Sequence, residues 1–379
     1  MSQGNQGSDA YAAAGVDYGS LDTFKREAQR VAAAPSQVEG VRALDWTRGE
    51  SCFVTEILVP GAAPIRIAHV EEGLGTKSLV ADAMIALHER GAYSIEAEGT
   101  YHAIAQDTVA MIVNDMITVG ARPVSIAMHL AVEDGSWFIN KKRSDALLAG
   151  WRYACDQSLA LMGPGETPAL KKIVAPEASL ISGSAVGILL GEPIQSSNMR
   201  SGDRIVLVAS SGIHANGLTL ARKIADEHEH GYLTVLKDSY YYGEALLQPT
   251  VNYVRLVMAL REQMFINYAI NITGHGWRKL MRAVERFAYT IETMPEPSDL
   301  FDFMVWSAQL SPEDAYATFN MGAGFALIVD SRDVPRVLET AKRLGYKAWD
   351  AGFIEGASSS SVCIAPLGIT YEADTLQVR

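Results

Sequence analysis

Two carboxylates and an amide interrupt an otherwise apolar stretch, DTVAMIVND, at residues 107–115. Read as a helix, it places Asp107 and Asn114, seven residues apart, on nearly the same face, with Asp115 about a quarter-turn round. The residues between them leave no wet face, so we expect a buried helix. Buried carboxylates need a metal, a Lys or Arg, or backbone donors to compensate them. The alternative is that Asp107 caps the helix and the other two residues close it.

A glycine-containing polar segment, EEGLGTKS at residues 71–78, is the second chemical candidate. Gly73 and Gly75 can let backbone N–H groups approach an anion, and Lys77 adds a positive charge. Glu72 beside such a loop suits a divalent cation that bridges carboxylates and phosphates. The spacing is not that of a Walker A loop, and a tight turn is the alternative interpretation.

A third candidate is the loop SSGIHANG at residues 210–217, which follows an apolar strand and precedes a helix beginning near Gly217. Phosphates and developing oxyanions are favoured where a helix begins. His214 is a candidate acid or electrophile and Asn216 a hydrogen-bond donor. A hydrogen-bonded loop histidine is the alternative.

Two further turns carry polar groups. Glu166 lies between Gly165 and Thr167 in a Gly/Pro turn, for which turn chemistry alone is a sufficient explanation. A glycine turn also spans residues 273–276, and Asn320 precedes the strand predicted at 325–330.

Composition excludes several functional classes. The 379 residues carry a formal charge of −12, which argues against nonspecific binding to nucleic acid or to an anionic membrane surface. A phosphorylated ligand remains compatible, because backbone N–H groups, a few lysines and Mg²⁺ can bind it locally. The amino terminus lacks the pattern of a signal peptide, and no apolar stretch approaches membrane-spanning length. We expect a cytoplasmic protein.

Strands and helices must position these candidates. In the first half we expect a helix from Asp22 to the break at Pro35 and another at 141–162, with strands at 52–59, 64–70, 123–132 and 179–190. The second half predicts a strand at 205–209, helices at 249–261 and 334–345, and a last strand near 348–354. A hydrophilic stretch near residue 200 marks the expected boundary. The predicted organisation is a disordered segment 1–10, an N-terminal domain 11–198 and a C-terminal α/β domain 199–379.

With these segments in place, the sequence resembles aminoimidazole ribonucleotide synthetase, also called phosphoribosylformylglycinamidine cyclo-ligase. The matching stretches follow the family's order through most of the chain. They are YAAAGVD (family YxxAGVD), EGLGTK (DGxGTK), DTVAMIVND (DxVAMxVND), GET (GGET), SSGIHANG (SSGxHSNG), ALLQPTVNYV (LLxPTRIYV), TG at 273–274 (TGGGF) and TFNMGAGF (TFNxGxGM).

The resemblance implies two α/β (α+β) domains, with the N-terminal domain sheet pairing across a homodimer and binding ATP and metal. It implies an ATP- and Mg²⁺-dependent ligase of purine biosynthesis that closes the ring of formylglycinamidine ribonucleotide through an iminophosphate, releasing ADP and phosphate. No nucleic-acid or membrane partner is expected.

Site roles are carried over from the family's motifs. His214 and Asn216 would be catalytic, Glu166 and Thr167 would contact substrate or metal, and Mg²⁺ would be bound by Glu72, Asp107 and Asp115. The residues implied for ATP or its phosphates are Gly73, Gly75, Thr76, Lys77, Asn114, Gly274 and Asn320.

The chain departs from the family pattern at several places. Glu72 replaces an Asp, His275 interrupts a run of glycines, and the residues ERGAYSIEAEGT at 89–100 are extra. The family's N-terminal lysine could correspond to Lys25, Arg26 or Arg30, and the sequence does not choose among them. The alternative functions are a divergent member of the same ATP-binding superfamily with another substrate, and a non-catalytic nucleotide-binding relative.

Overall fold

The computed structural model describes residues 18–32, 38–47, 50–94, 99–237 and 240–376, with side chains in the first segment described from residue 23. The predicted disordered segment 1–10 lies outside these residues. Mixed helix and sheet is found throughout, as the sequence predicts, and the described strands form two sheets.

The first sheet has the strand order β1-β2-β3-β6-β4-β5. Its neighbours pair antiparallel except β4 and β5, which are parallel. The strands are β1 (Val41–Ala43), β2 (Phe53–Ile57), β3 (Ile65–Gly73), β4 (Arg122–Val132), β5 (Leu161–Glu166) and β6 (Ser179–Ile188).

The helices associated with this first half are α1 (Tyr18–Ala32), α2 (Lys77–Glu89), α3 (Thr100–Met116) and α4 (Lys141–Gln157). Helix α3 contains the DTVAMIVND stretch and is buried along most of its length, as its apolar circumference predicts. It packs against α4 and against β3 and β6, so its polar side chains lie inside the protein.

The second sheet has the strand order β13-β12-β9-β11-β7-β10-β8 and is antiparallel except between β12 and β9. Its strands are β7 (Arg204–Ala209), β8 (Tyr268–Asn271), β9 (Phe287–Ile291), β10 (Ala323–Val329), β11 (Ala348–Gly356), β12 (Ser361–Ile364) and β13 (Ile369–Glu372). The helices are α5 (Leu218–Glu227), α6 (Tyr242–Leu246), α7 (Val254–Arg261), α8 (Asp299–Ser307), α9 (Pro312–Thr318) and α10 (Val334–Arg343).

Four local predictions were wrong. The segment 71–78 is not one turn, because β3 continues to Gly73 and pairs with β6, and helix α2 begins at Lys77. The helix expected over 141–162 ends at Gln157, and Glu166 belongs to strand β5 rather than to a turn. The helix expected from residue 249 begins at Val254, since the preceding residues bond to α3 instead.

Candidate functional site

The polar residues of helix α3 face the second half of the chain. Asp107 Oδ1 accepts hydrogen bonds from Thr250 N at 2.8 Å and from the Thr250 hydroxyl. Asn114 donates from Nδ2 to Val251 O at 2.8 Å and accepts at Oδ1 from Tyr253 N at 3.0 Å. The helix therefore joins the two sheets through side chains that compensate buried backbone groups of residues 250–253.

Lys77 and Asp107 form an ion pair inside this junction, with Nζ 2.8 Å from Oδ1 and both side chains 0% exposed. Lys77 also donates to His214 O at 2.9 Å and to Gln248 O at 2.8 Å. All three protons of the ammonium are thus engaged. Burial lowers the pKa of Lys77 and raises that of Asp107, while their mutual attraction opposes both shifts.

The Lys77–Asp107 pair lies inside the junction, with no solvent-exposed side-chain surface. Lys77, predicted to contact phosphate, has no N–H left to donate, and Asp107, predicted to bind metal, is shielded from solvent. A phosphate contact from Lys77 would require one of its three hydrogen bonds to break, whereas Asp107 Oδ2 is buried and has no hydrogen-bond partner among the described residues.

His214 is also buried in this junction. Its Nε2 accepts from Ser211 N at 3.2 Å and from Val251 N at 3.5 Å, which places the ring proton on Nδ1. Burial, with the Lys77 charge, lowers the pKa of His214 to about 3, so the ring stays neutral near pH 7. This environment is that of a hydrogen-bonded loop histidine. Asn216 lies half-buried in the same loop, before α5.

Gly324 shows how closely the junction is packed around that ring. A Cβ at this position would lie 2.2 Å from Tyr253 Oη and 2.5 Å from His214 Cε1. Asn320 fixes the neighbouring loops, because its Oδ1 accepts from Ser210 Oγ at 2.8 Å and its Nδ2 donates to Gly212 O at 2.8 Å. The predicted residues His214 and Asn320 are therefore brought together in this junction.

A second group of charged side chains meets where the end of β3, helix α3 and the turn after β8 come together. Asp115 Oδ1 accepts from Asn271 Nδ2 at 2.7 Å. Burial raises the pKa of Glu72 to about 7, the Asp115 carboxylate raises it as well, and Lys279 acts in the opposite direction. We call Glu72, Asp115 and Lys279 the mixed-charge cluster.

Lys279 belongs to a basic turn that the sequence reading did not assign. Its ammonium donates to Thr273 Oγ1, and burial together with Arg282 lowers its pKa to about 8, against the opposing effect of Asp115 and Glu72. The available signal was the basic run directly after the glycine turn, in WRKLMR at 277–282. Gly274 lies half-buried in that turn.

Of the three basic residues that the sequence left open, Lys25 has a charge that acts on this cluster. It influences the pKa values of Glu72, His275 and Lys279. Gly73 and Gly75 are exposed beside Glu72 and Thr76 directly precedes α2, so the predicted glycine segment borders the cluster.

Glu166 and Thr167 lie elsewhere. Both are exposed, and Glu166 is opposite His129 in the β4–β5 register. Glu166 borders a cavity of about 450 Å³ that is also lined by Glu71 and Ser182. Successive residues of a strand point to opposite faces, so Glu71 faces this cavity while Glu72 faces the mixed-charge cluster. The structure does not bring Glu166 to that cluster within one subunit.

The carboxylates of the site can be compared with the ligands that Mg²⁺ requires. Among the described residues, no three His, Cys, Asp or Glu side chains come close enough to hold a metal ion by themselves. Mg²⁺ is commonly bound by one or two carboxylates together with water and phosphate oxygens. Glu72 and Asp115 fit that requirement, because their mutual repulsion would be relieved by a cation, whereas Asp107 already has Lys77 as its counter-ion.

Comparison with known proteins gives two family matches. Residues 67–189 match the N-terminal domain of AIR synthase related proteins, and residues 200–364 match the C-terminal domain. A phosphoribosylformylglycinamidine cyclo-ligase of Carboxydothermus hydrogenoformans is 31% identical over 350 residues, covering 91% of this chain and 95% of the relative. One from Methanococcus maripaludis is 32% identical over 286 residues, covering 75% and 76%.

Solved structures share the fold at lower identity. The crystal structure of a HypE–HypF complex matches with a TM-score of 0.57 and 13% identity, covering 91% of this chain and 98% of that one. A thiamine-monophosphate kinase from Stenotrophomonas maltophilia matches with a TM-score of 0.55 and 18% identity, covering 90% and 95%. In the described part of the chain, no helix has both the length and the apolar character needed to span a membrane.

Proposed function

Since the chain belongs to the AIR synthase family, we propose that it is a phosphoribosylformylglycinamidine cyclo-ligase, an enzyme of purine biosynthesis. It closes the ring of formylglycinamidine ribonucleotide to aminoimidazole ribonucleotide, with conversion of ATP to ADP and phosphate. The observation that carries this proposal is sequence identity of about 30% along nearly the whole length of a curated cyclo-ligase. The mixed-charge cluster is the part of the structure best suited to the chemistry.

The reaction needs activation of a poor leaving group. The formyl oxygen of the substrate attacks the γ-phosphorus of ATP, and the bond from that phosphorus to the β,γ-bridging oxygen breaks, which releases ADP. The amidine nitrogen then attacks the activated carbon, and phosphate departs with the former formyl oxygen. Because both groups belong to one molecule, proximity supplies much of the second step. The protein must orient the triphosphate and neutralise its charge.

Lys279 and Lys25 supply positive charge for the phosphates in this proposal. Glu72 and Asp115 would hold Mg²⁺, which would neutralise part of the charge of the phosphates. Asp107 is left out of the metal set because Lys77 and Thr250 already compensate it. Gly75, which is exposed just before α2, would offer a backbone N–H group to the same phosphates.

A homodimer is supported by the outer face of the first sheet. One row across the sheet runs from Phe53 on β2 through His69 on β3 to Val186 on β6. It continues across β4 to Leu161 on β5. Phe53, Val186 and Leu161 are 40%, 46% and 72% exposed, which is unusual for one sheet face in a monomer. We propose that a second copy covers this face, and that the enzyme acts in the cytoplasm, where its nucleotide substrates occur.

Product analysis tests the function directly. Purified protein is incubated with formylglycinamidine ribonucleotide, ATP and Mg²⁺, and ADP and aminoimidazole ribonucleotide are followed together. Equal amounts of both products are expected. Nucleotide binding without either product would refute the cyclo-ligase and favour a divergent or non-catalytic relative.

A further inference from the structure

Asp115 differs from Asp107 and Asn114, the other two polar residues singled out on helix α3, in how its side chain is compensated. Asp107 has the ammonium of Lys77 as its counter-ion, and both polar atoms of the Asn114 amide are bonded to backbone groups of residues 251 and 253. Asp115 is 7% exposed, and it forms no ion pair within the described part of the chain. A largely buried carboxylate without a counter-ion favours the binding of a cation.

A neutral amide holds the Asp115 carboxylate. Asn271, the last residue of β8, is 3% exposed and donates from Nδ2 to Asp115 Oδ1 at 2.7 Å. The amide nitrogen must face the carboxylate, because an ionised carboxylate only accepts hydrogen bonds. The backbone of Asn271 is paired with Phe325 of β10, and Ile272 N donates to Gly324 O at 3.0 Å. The second sheet therefore fixes the donor, while the acceptor belongs to a helix of the first half.

The neutrality of this donor bears on metal binding. A cationic donor would neutralise Asp115 and compete with a metal ion, whereas an amide restricts rotation of the carboxylate and leaves its charge in place. Lys279 does not take this position, since its ammonium donates to Thr273 Oγ1. Carboxylates that bind metal ions are themselves commonly held by hydrogen bonds, and loss of such a bond typically weakens metal binding by about 10- to 100-fold.

We propose that Asn271 is a positioning residue for a divalent cation, because it holds the Asp115 carboxylate in the orientation in which that carboxylate and Glu72 bind the ion. Asn271 acts through Asp115 and contacts neither the metal nor the substrates. The inference rests on the proposed function for the role of Asp115 as a metal ligand, and it deepens that proposal by adding a residue from the second half of the chain.

Binding of Mn²⁺ to the purified protein tests this role without turnover. Mn²⁺ prefers the same oxygen ligands as Mg²⁺, and electron paramagnetic resonance measures the free ion. Asn271→Leu nearly keeps the volume of the side chain but removes the donor, so we expect Mn²⁺ affinity to fall by about tenfold or more. Asn271→Gln keeps an amide donor and should retain more of the affinity than Asn271→Leu.

Asn267→Leu is the matched control. Asn267 is 8% exposed and donates from Nδ2 to Asp203 Oδ2, also at 2.7 Å. Both leucine variants lose a buried hydrogen bond between an amide and a carboxylate, so we expect a similar decrease in Tm for both without metal. Mn²⁺ should bind Asn267→Leu as tightly as wild type and raise its Tm, whereas the increase should be much smaller for Asn271→Leu.

Equal Mn²⁺ affinity in wild type and Asn271→Leu would overturn the inference, as would a wild-type protein that binds no Mn²⁺. If Asn271→Leu does not fold, Asn271→Ala removes the donor without adding apolar volume, and Asn267→Ala is then the control. Failure of the proposed function gives a different result, in which no aminoimidazole ribonucleotide forms but the difference in Mn²⁺ affinity between the variants at 271 and 267 remains.

Discussion

The ammonium of Lys77 lies 2.8 Å from Oδ1 of Asp107, and neither side chain reaches solvent. The two residues come from neighbouring helices of the first half, yet each also bonds to the second half, Lys77 to His214 O and Gln248 O and Asp107 to Thr250. One buried pair thus holds together the two sheets. We infer that this pair contributes to the assembly of the site.

Asp107→Asn should be strongly destabilising. The substitution leaves the buried ammonium of Lys77 without a counter-ion, so we expect a loss of about 3 to 5 kcal/mol in the free energy of unfolding. Urea denaturation measures this loss. The matched control is Asp145→Asn, which breaks the exposed pair with Lys141, 3.1 Å apart, and should cost less than about 1 kcal/mol. Similar small losses in both variants would contradict the structural role of Asp107.

His214→Ala should also lose stability, because it opens a cavity and leaves the N–H groups of Ser211 and Val251 without their acceptor. We expect about 2 to 4 kcal/mol from the two effects together. Since burial holds the pKa of His214 near 3, its titration should contribute no step to activity between pH 5 and 8. His230→Ala, at an exposed position, is the control. A variant as stable as wild type but inactive would contradict this structural role and support His214 as a catalytic group.

The sequence predicted the elements of the site better than its contacts. Helix α3 was predicted because apolar residues surround it, and its burial is confirmed. The partner of Lys77, however, is 30 residues away, and the two carbonyls that it binds are 137 and 171 residues away. A local pattern cannot contain such separations. The glycines before Lys77 therefore suggested a phosphate-binding loop, although the ammonium of Lys77 is buried.

Strand pairing explains why the segment 71–78 was misread. Glu71, Glu72 and Gly73 look like a polar turn in isolation, but they pair with Ser184, Gly183 and Ser182 of strand β6. The long separation in sequence hides this pairing. Lys279 was missed for a related reason, since only the fold brings residue 279 against Glu72 and Asp115.

Glu72→Gln should change how stability depends on pH. The pKa of Glu72 is raised in the folded state to about 7, so its stabilising contribution is complete below the unfolded value near 4.5 and is lost as pH rises through 7. In the presence of EDTA, the variant should therefore gain about 1 to 3 kcal/mol over wild type at pH 8 and little at pH 4. Thermal denaturation at the two pH values measures the difference.

The control for that experiment is Glu71→Gln, which lies on the opposite, exposed face of β3 and should leave the pH dependence as in wild type. Added Mg²⁺ should stabilise wild type and Glu71→Gln at pH 8 and stabilise Glu72→Gln much less. Equal stabilisation of all three proteins would remove Glu72 from the metal site.

Lys279→Met should raise the stability of the protein and weaken its binding of ATP. Burial and Arg282 lower the pKa of Lys279 to about 8, so the folded state disfavours the charged form, and stability rises as pH increases from about 8 toward the unfolded value of 10.5. At pH 7 the variant should be more stable than wild type without ligand but bind ATP at least tenfold more weakly. Wild-type affinity should itself fall above pH 8, where the ammonium deprotonates, and this decline should be absent in Lys279→Met.

Titrations at pH 7 and 9 measure both effects, with Lys223→Met, which removes an ammonium 3.8 Å from Glu227 on α5, as the control. An affinity in Lys279→Met equal to that of wild type at pH 7 would show that the phosphates bind without Lys279, and the carboxylate pair would then have to act through the metal alone.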